Sequence, residues 1–115
     1  MARIADEAIM ERLRTFLDED ARIDGHLTCK GGLKIDGVIN GNVETDDLVW
    51  VVGKVSGTVT ASEIILSGEI GDGAKANRIE LREDSRINGE IRYGRLHFEE
   101  GAIVNGRFIH MESDQ

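Results

Sequence analysis

Residues 35–59, IDGVINGNVETDDLVWVVGKVSGTV, contain a five-residue unit of the form apolar, any, Gly, any, apolar four times. The units begin at Ile35, Ile39, Val51 and Val55, so they form two overlapping pairs, and the second pair starts sixteen residues after the first. A constant offset of this size is typical of a stacked repeat in which each repeat forms one layer.

The same offset divides most of the chain into six rows of 15 to 17 residues. Two columns of similar residues run through these rows. The first places of the rows are Ile23, Ile39, Val55, Ile70, Ile87 and Val104, and the fifth places are Leu27, Val43, Val59, Ala74, Ile91 and Phe108. Near the row ends lie Gly37, Gly53, Gly68 and Gly101, with Ser85 in the fourth row. Because side-chain type is kept column by column, we expect equivalent residues to lie directly above one another.

Each unit is too short to form a sheet with its neighbour in sequence, so we interpret it as one short strand of a coil. A row of sixteen residues traces roughly 50 Å at ~3.3 Å per residue, enough to go once around a slim prism and return ~4.8 Å higher. We therefore predict an all-β fold, a right-handed parallel β-helix with three sides and about six coils. A left-handed hexapeptide helix would need an aliphatic residue every six positions, and a sandwich would need room for hairpin turns that the overlapping units do not leave.

Composition agrees with a single small β domain. The chain has 115 residues, 14 Gly, no Pro and five aromatic residues, so Gly, Asn and Asp must make the turns. The net charge of −8 disfavours a nucleic-acid partner, because phosphate binding needs clustered Lys and Arg. Cys29 is the lone cysteine, which excludes an intrachain disulfide and favours a reducing, cytoplasmic compartment.

The N-terminal residues 1–20 lack Gly and form a separate segment in this interpretation. Ile9, Leu13, Phe16 and Leu17 have the spacing of one face of an amphipathic helix. We expect this helix to dock over the first layer and cover a sheet edge. Docking on a membrane or on another subunit, and disorder, are the alternatives. The β-helix itself is assigned to residues 21–109, and residues 110–115 to a polar tail.

No catalytic or metal-binding motif emerges from the chain. His26, His97 and His110 fall in different rows, and the Asp-Gly pairs lack the nine-residue pattern of calcium-binding β-rolls. We therefore expect no enzyme activity, no cofactor and no small-molecule substrate.

The segments KIDGVINGNV, VGKVSGTVTASEIILSGEI and INGEIRYGRLHFEEGAIVNGRF resemble the core domain of bactofilins, the bacterial polymer-forming cytoskeletal proteins. The resemblance covers about residues 23–108. It implies a right-handed parallel β-helix, nucleotide-independent filaments built end to end, and a role in scaffolding cell-envelope enzymes or cell shape. It also implies a cytoskeletal location, in some members at the inner face of the membrane.

The end coils are the expected sites of self-assembly, because an uncovered sheet edge is a template for another copy. Ile103, Val104 and Phe108 belong to the last row and mark the C-terminal face as the candidate interface. The rival interpretations are a β-helical binding module that stops at a dimer and, from another class, a hexapeptide-type acyltransferase.

Overall fold

The structure, a computed structural model, describes residues 10–111, which form a parallel β-solenoid with three faces. All strand pairings in this range are parallel. The first face holds β2 (Arg22–Asp24), β5 (Val38–Asn40), β8 (Lys54–Val55), β11 (Glu69–Ile70) and the starts of β13 (Arg86–Phe98) and β14 (Ile103–His110). The second face holds β3 (Leu27–Cys29), β6 (Val43–Thr45), β9 (Val59–Thr60), the start of β12 (Gly73–Leu81), the middle of β13 and the end of β14. The third face holds β1 (Leu13–Leu17), β4 (Gly32–Ile35), β7 (Leu48–Val51), β10 (Glu63–Leu66) and the ends of β12 and β13.

The predicted columns are confirmed by the strand register. On the first face Ile23 pairs with Ile39, and the column continues through Val55, Ile70 and Ile87 to Val104. The fifth-place column from Leu27 to Phe108 is likewise continuous on the second face. These columns point inward and form the core together with the third-face residues, which are Leu33, Ile35, Val49, Val51, Ile64, Leu66, Ile79 and Leu81. The inner members of each column are buried, whereas the first and last are only partly covered.

Glycines stand where backbone passes closest to backbone. Gly37, Gly53 and Gly68 stack at the corner before the first face, and a Cβ added to Gly53 would collide with the carbonyl oxygens of Gly37 and Asp36. Ser85 continues this column in the fourth row, as the row pattern predicts. The row pattern is wrong for the last member of the column, which is Ala102 and not Gly101. Gly101 lies beside Asp84. Gly101 and Asp84 both have left-handed backbone, with φ of 89° and 64°, a conformation that Gly adopts freely and Asp tolerates better than most residues.

The helix predicted near the N-terminus is wrong for residues 13–17. This segment is strand β1, which pairs in parallel with β4 on the third face. Among residues 10–111, helix is found only as a single turn at residues 10–12. A short isolated helix is marginally stable, whereas β1 gains backbone hydrogen bonds from the open edge of β4. The solenoid therefore begins before residue 21.

The residues expected on one helix face are consequently separated. Leu17 packs on the core above Ile35. A register irregularity between Leu13 and Thr15 puts Leu13 in a second apolar cluster outside the third face, while Phe16 is 55% exposed. Ile9 lies outside the described residues.

Gly53→Ala tests the close stacking of the coils. The added methyl group must push apart the backbones of adjacent coils, so we expect the free energy of unfolding to fall by about 1–3 kcal/mol, the usual range for overpacking. Thermal or denaturant unfolding followed by circular dichroism measures the change.

Val52→Ala is the matched control, because Val52 occupies the same corner and is 39% exposed. A surface substitution of this kind should change the free energy of unfolding by less than about 0.5 kcal/mol. Equal stability of the two variants would contradict the assigned role of Gly53.

Candidate functional site

The C-terminal end of the solenoid is an unpaired sheet edge. β14 pairs only with β13 along the first and second faces, and the last part of β13 pairs only with β12 on the third. No strand of residues 10–111 pairs with the outer sides of these strands, so their backbone groups are open to a strand from another chain. Exposed edges of this kind are where proteins add strands from a second chain.

An aromatic cluster covers the core at this end. Tyr93 and Phe108 meet edge to face with ring centroids 5.9 Å apart, and Phe98 and Phe108 do so at 5.6 Å. His110 lies against Tyr93 at 5.3 Å. Phe98 and Phe108 are 48% and 40% exposed, so the cluster both closes the apolar columns and presents aromatic surface to a partner.

The three predicted C-terminal residues all lie at this end, but they point in different directions. Val104 and Phe108 continue the inward columns of Ile87 and Ile91. Ile103 pairs with the exposed Arg86 and is itself 44% exposed, on the outer surface of the first face. The apolar surface of the C-terminal end therefore extends onto the outside of the first face.

Sequence reasoning missed Phe98 and Tyr93. Phe98 continues the third-face column of Ile35, Val51, Leu66 and Leu81. That column could have been found by applying the row offset to the third strand of each row as well as to the first two. Tyr93 follows Ala76 in the next coil of its column. The change from a small to a large aromatic side chain in this column is the signal by which the sequence could have indicated Tyr93.

Charged side chains frame the C-terminal end. Glu90 accepts a hydrogen bond from Arg92 Nε at 2.6 Å and another from Arg107 Nη2 of the last coil at 3.3 Å. These contacts, chiefly the hydrogen bond from Arg92, lower the pKa of Glu90. Arg107 and Glu90 therefore link the last two coils on the outside, opposite the aromatic residues within.

The N-terminal end is also an open edge. Among the strands that the structure describes, β1, β2 and β3 each pair on one side only. Leu17, Ile23, Leu27 and Cys29 are the first members of the inward columns, and each is half-buried. Asp24 accepts a hydrogen bond from Asn40 Nδ2 at 2.8 Å, which is the main cause of its lowered pKa. The inward side chains at this end are aliphatic apart from Cys29, whereas those at the C-terminal end include the aromatic Tyr93, Phe98 and Phe108.

On the walls between the two ends, histidine side chains contact the backbone of a neighbouring coil. His26 Nδ1 lies 3.1 Å from the backbone nitrogen of Asn42, and His110 Nε2 lies 3.1 Å from the carbonyl oxygen of Gly94. Among residues 10–111, no three His, Cys, Asp or Glu side chains are grouped to hold a metal ion.

A hollow of about 360 Å³ on the second face has side chains of both charges at its rim, namely Asp72, Lys75, Glu90 and Arg92. This wall therefore offers mixed charge without a converging ligand set.

The part of the chain that the structure describes has no helix long and apolar enough to cross a membrane.

The fold and its ends define a class of protein: a parallel β-solenoid with paired backbone along its walls and unpaired backbone with apolar side chains at both ends. Residues 15–108 match the model of a family described as "Bactofilin: Polymer-forming cytoskeletal". The chain belongs to the bactofilin family of polymer-forming cytoskeletal proteins.

Individual relatives agree with this assignment. The chain is 24% identical to bactofilin BacO of Myxococcus xanthus (strain DK1622) over 95 residues, which cover 80% of this chain and 75% of that protein. The solid-state NMR structure of the cytoskeletal bactofilin BacA superposes with a TM-score of 0.76 at 30% identity, covering 85% of this chain and 96% of that one. The Thermus thermophilus bactofilin, reconstructed by cryo-EM as double helical filaments, superposes with a TM-score of 0.70 at 25% identity and covers 85% and 100% of the two chains.

The titration of Glu90 tests the charged frame of the C-terminal end. Since Arg92 is the main cause of the lowered pKa, Arg92→Gln should raise the pKa of Glu90 toward its ordinary value, and Arg107→Gln should raise it less. Because the folded-state pKa is lowered, the contribution of this contact to stability is present above the unfolded-state pKa and is lost as the pH falls through the folded-state pKa. An NMR pH titration of the Glu90 carboxyl carbon measures its pKa in the unaltered protein and in each of the two variants. An identical pKa in the two variants and the unaltered protein would contradict this account.

Proposed function

We propose that this protein is a structural scaffold that assembles end to end into filaments through its two open ends. The observation that carries the proposal is the contrast between walls and ends. Backbone hydrogen bonds run from coil to coil along all three faces, but β14 and the last part of β13 offer an unpaired edge beside the aromatic cluster. A second copy placed on this edge would gain backbone hydrogen bonds and bury Phe98 and Phe108.

Both ends must bind for a filament to grow. A contact between two identical ends related by a two-fold axis closes after two subunits, so a C-terminal contact alone yields dimers. The half-buried Leu17, Ile23 and Leu27 give the N-terminal end an apolar surface of its own. This supports growth in both directions and argues against the dimeric binding module.

Assembly of this kind needs no nucleotide, because its contacts are backbone hydrogen bonds and apolar packing. The filament walls, which carry charged and polar side chains, would serve as the scaffold for cell-envelope or cell-shape factors. We propose a cytoskeletal location in the cytoplasm, with the inner face of the membrane as the alternative site. The family's description as polymer-forming and cytoskeletal supports the cytoskeletal location, and the lone Cys29 agrees with a reducing compartment.

Phe108→Arg tests the C-terminal end. An arginine in the last coil places an uncompensated charge in the apolar contact, so we expect long assemblies to disappear while the circular dichroism spectrum of the β-solenoid is retained. Negative-stain electron microscopy and light scattering of nucleotide-free protein measure the change. The species that remains also reports the geometry, because dimers indicate that like ends pair and monomers indicate that unlike ends pair.

Thr60→Arg is the charge-matched control. Thr60 points outward from the second face in a middle coil, between Glu44 and Lys75, so filaments should persist in this variant. Filaments of Phe108→Arg as long as those of Thr60→Arg would refute the assigned interface. A unique dimer of the unaltered chain at every salt concentration would instead favour the binding module.

A further inference from the structure

Asparagine is followed directly by glycine at three places in the chain, namely Asn40-Gly41, Asn88-Gly89 and Asn105-Gly106. In such a pair the backbone nitrogen of the glycine can attack the side-chain amide of the asparagine, because glycine has no Cβ to hinder the approach. The three pairs have the same local chemistry, so the sequence does not rank their reactivity. Their places in the stack of coils differ.

The Asn105-Gly106 pair lies at the open C-terminal edge. Both of its residues are exposed, whereas the other two pairs are half-buried. β14, which contains the pair, is bonded in continuous register to β13, and no strand of residues 10–111 lies on its other side. A strand held from one side opens locally at a lower cost than a strand between two neighbours.

The backbone N–H of Gly106 faces this open edge. In a parallel sheet, alternate residues of a strand bond to the same neighbouring strand. Ile103 N donates to Ser85 O at 2.8 Å, and Met111 N donates to Tyr93 O at 2.7 Å, both in the previous coil. Residues at even steps from Ile103 therefore bond to the previous coil. Gly106 lies three residues after Ile103, so it bonds in the opposite direction.

The equivalent glycines of earlier coils have an acceptor in that direction. Gly25, at the same place in the first row, donates its N–H to Asn40 O of the next coil at 2.9 Å. By the same register, the N–H of Gly89 points to the carbonyl oxygen of Asn105. Gly106 has no following coil among residues 10–111, so its nitrogen is available for attack.

The Asn40-Gly41 pair is held on both flanks. Asn40 Nδ2 donates to Asp24 Oδ1 at 2.8 Å, and Asn42 N donates to His26 Nδ1 at 3.1 Å. The backbone rotation that brings a glycine nitrogen to the side-chain amide would break these contacts. The structure therefore separates Asn105 from the two other candidates.

We propose that Asn105 is a site of spontaneous deamidation, which places a negative charge at the C-terminal end. Gly106 N forms a bond to Asn105 Cγ and closes a succinimide ring, while the bond between Cγ and Nδ2 breaks. Nδ2 leaves as ammonia and carries away the proton of the Gly106 N–H. Water then opens the ring. Attack of water at Cγ gives aspartate, and attack at the backbone carbonyl carbon gives isoaspartate, which lengthens the main chain by a methylene group.

Both products alter the last coil. Asn105 Nδ2 donates to Asn88 Oδ1 at 3.1 Å, and a carboxylate at position 105 cannot make this bond between the coils. Isoaspartate also lengthens β14 between Ile103 and Phe108, so the strand loses its register with β13. Each product should weaken the end-to-end contact, a consequence that rests on the proposed function. The deamidation itself does not.

Peptide mapping tests the site, because trypsin places the three pairs in separate fragments, residues 35–54, 87–92 and 96–107. The full chain carrying Phe108→Arg, which keeps the edge open, is incubated in mildly alkaline buffer, and mass spectrometry follows the replacement of NH2 by OH in each fragment. Asn105 should convert about tenfold faster than Asn88 or more, because backbone hydrogen bonds to a further coil must first open at Asn88. Equal rates at the two residues would overturn the proposal.

The same mapping in urea is the control for local sequence. Without coils, the three pairs should convert at similar rates. If Asn105 were ahead of the other two by the same factor in urea as in the folded chain, the open edge would not be the cause, and the proposal would be overturned.

Protection by assembly is tested with the charge-matched variants Phe108→Arg and Thr60→Arg. In filaments of Thr60→Arg the N–H of Gly106 is covered by a second copy, so Asn105 should convert more slowly than in Phe108→Arg, with Asn88 as the reference within each sample. Electron microscopy of the same samples tests the filament proposal separately. Filaments lost in Phe108→Arg, with equal conversion of Asn105 in both variants, would overturn the protection and leave the filament proposal intact.

The effect of the product is tested with Asn105→Asp, which carries the new charge, and Asn105→Gln, which keeps an amide. Asn105→Asp should shorten the filaments and Asn105→Gln should do so less, as measured by electron microscopy and light scattering. Filaments of equal length in the two variants would overturn the effect of the charge on assembly.

Discussion

Direct stacking of one backbone coil on the next is the constraint on which the rest of this structure depends. Parallel strands about 4.8 Å apart leave no space for a side chain where the backbone turns. The carbonyl oxygen of Gly37 occupies the place that a Cβ on Gly53 would need, which shows how close the coils come. Once that spacing is fixed, each inward side chain must lie on the equivalent one of the previous coil. The core is therefore a set of columns from Ile23 to Val104 and from Leu27 to Phe108.

The same hydrogen bonds that join the coils also determine where function can reside. Along the three faces each inner strand is paired on both sides, so the walls have no free backbone to offer. At the two ends the pairing stops while the apolar columns continue to the surface, through Leu27 at one end and Phe108 at the other. In the proposed assembly, each further copy extends an arrangement that the solenoid already repeats within itself, which agrees with the chain's membership of a polymer-forming family.

The two ends of the solenoid are chemically different. Edge-to-face aromatic contacts order the C-terminal end, whereas aliphatic side chains and Cys29 line the N-terminal end. On the outside of the third face, Ile65 is buried beside the charged pair of Glu80 and Arg82. Such a pair is costly to desolvate unless its partners are held in place.

The sequence by itself determined the solenoid, its coil length and two of its inward columns, because the sixteen-residue offset repeats one side-chain environment at every coil. It also placed Val104 and Phe108 in the final coil. Only the tertiary structure decided the fate of residues 13–17: their spacing fits a helix face, but the open edge of β4, formed by residues distant in sequence, binds them as a strand. The contact between Phe98 and Phe108 and the ion pairs of Arg12 with Asp47 and Glu63 were likewise decided in three dimensions. The row offset indicates the column of Phe98 and of Phe108, but it does not indicate which residues of different faces or coils come into contact.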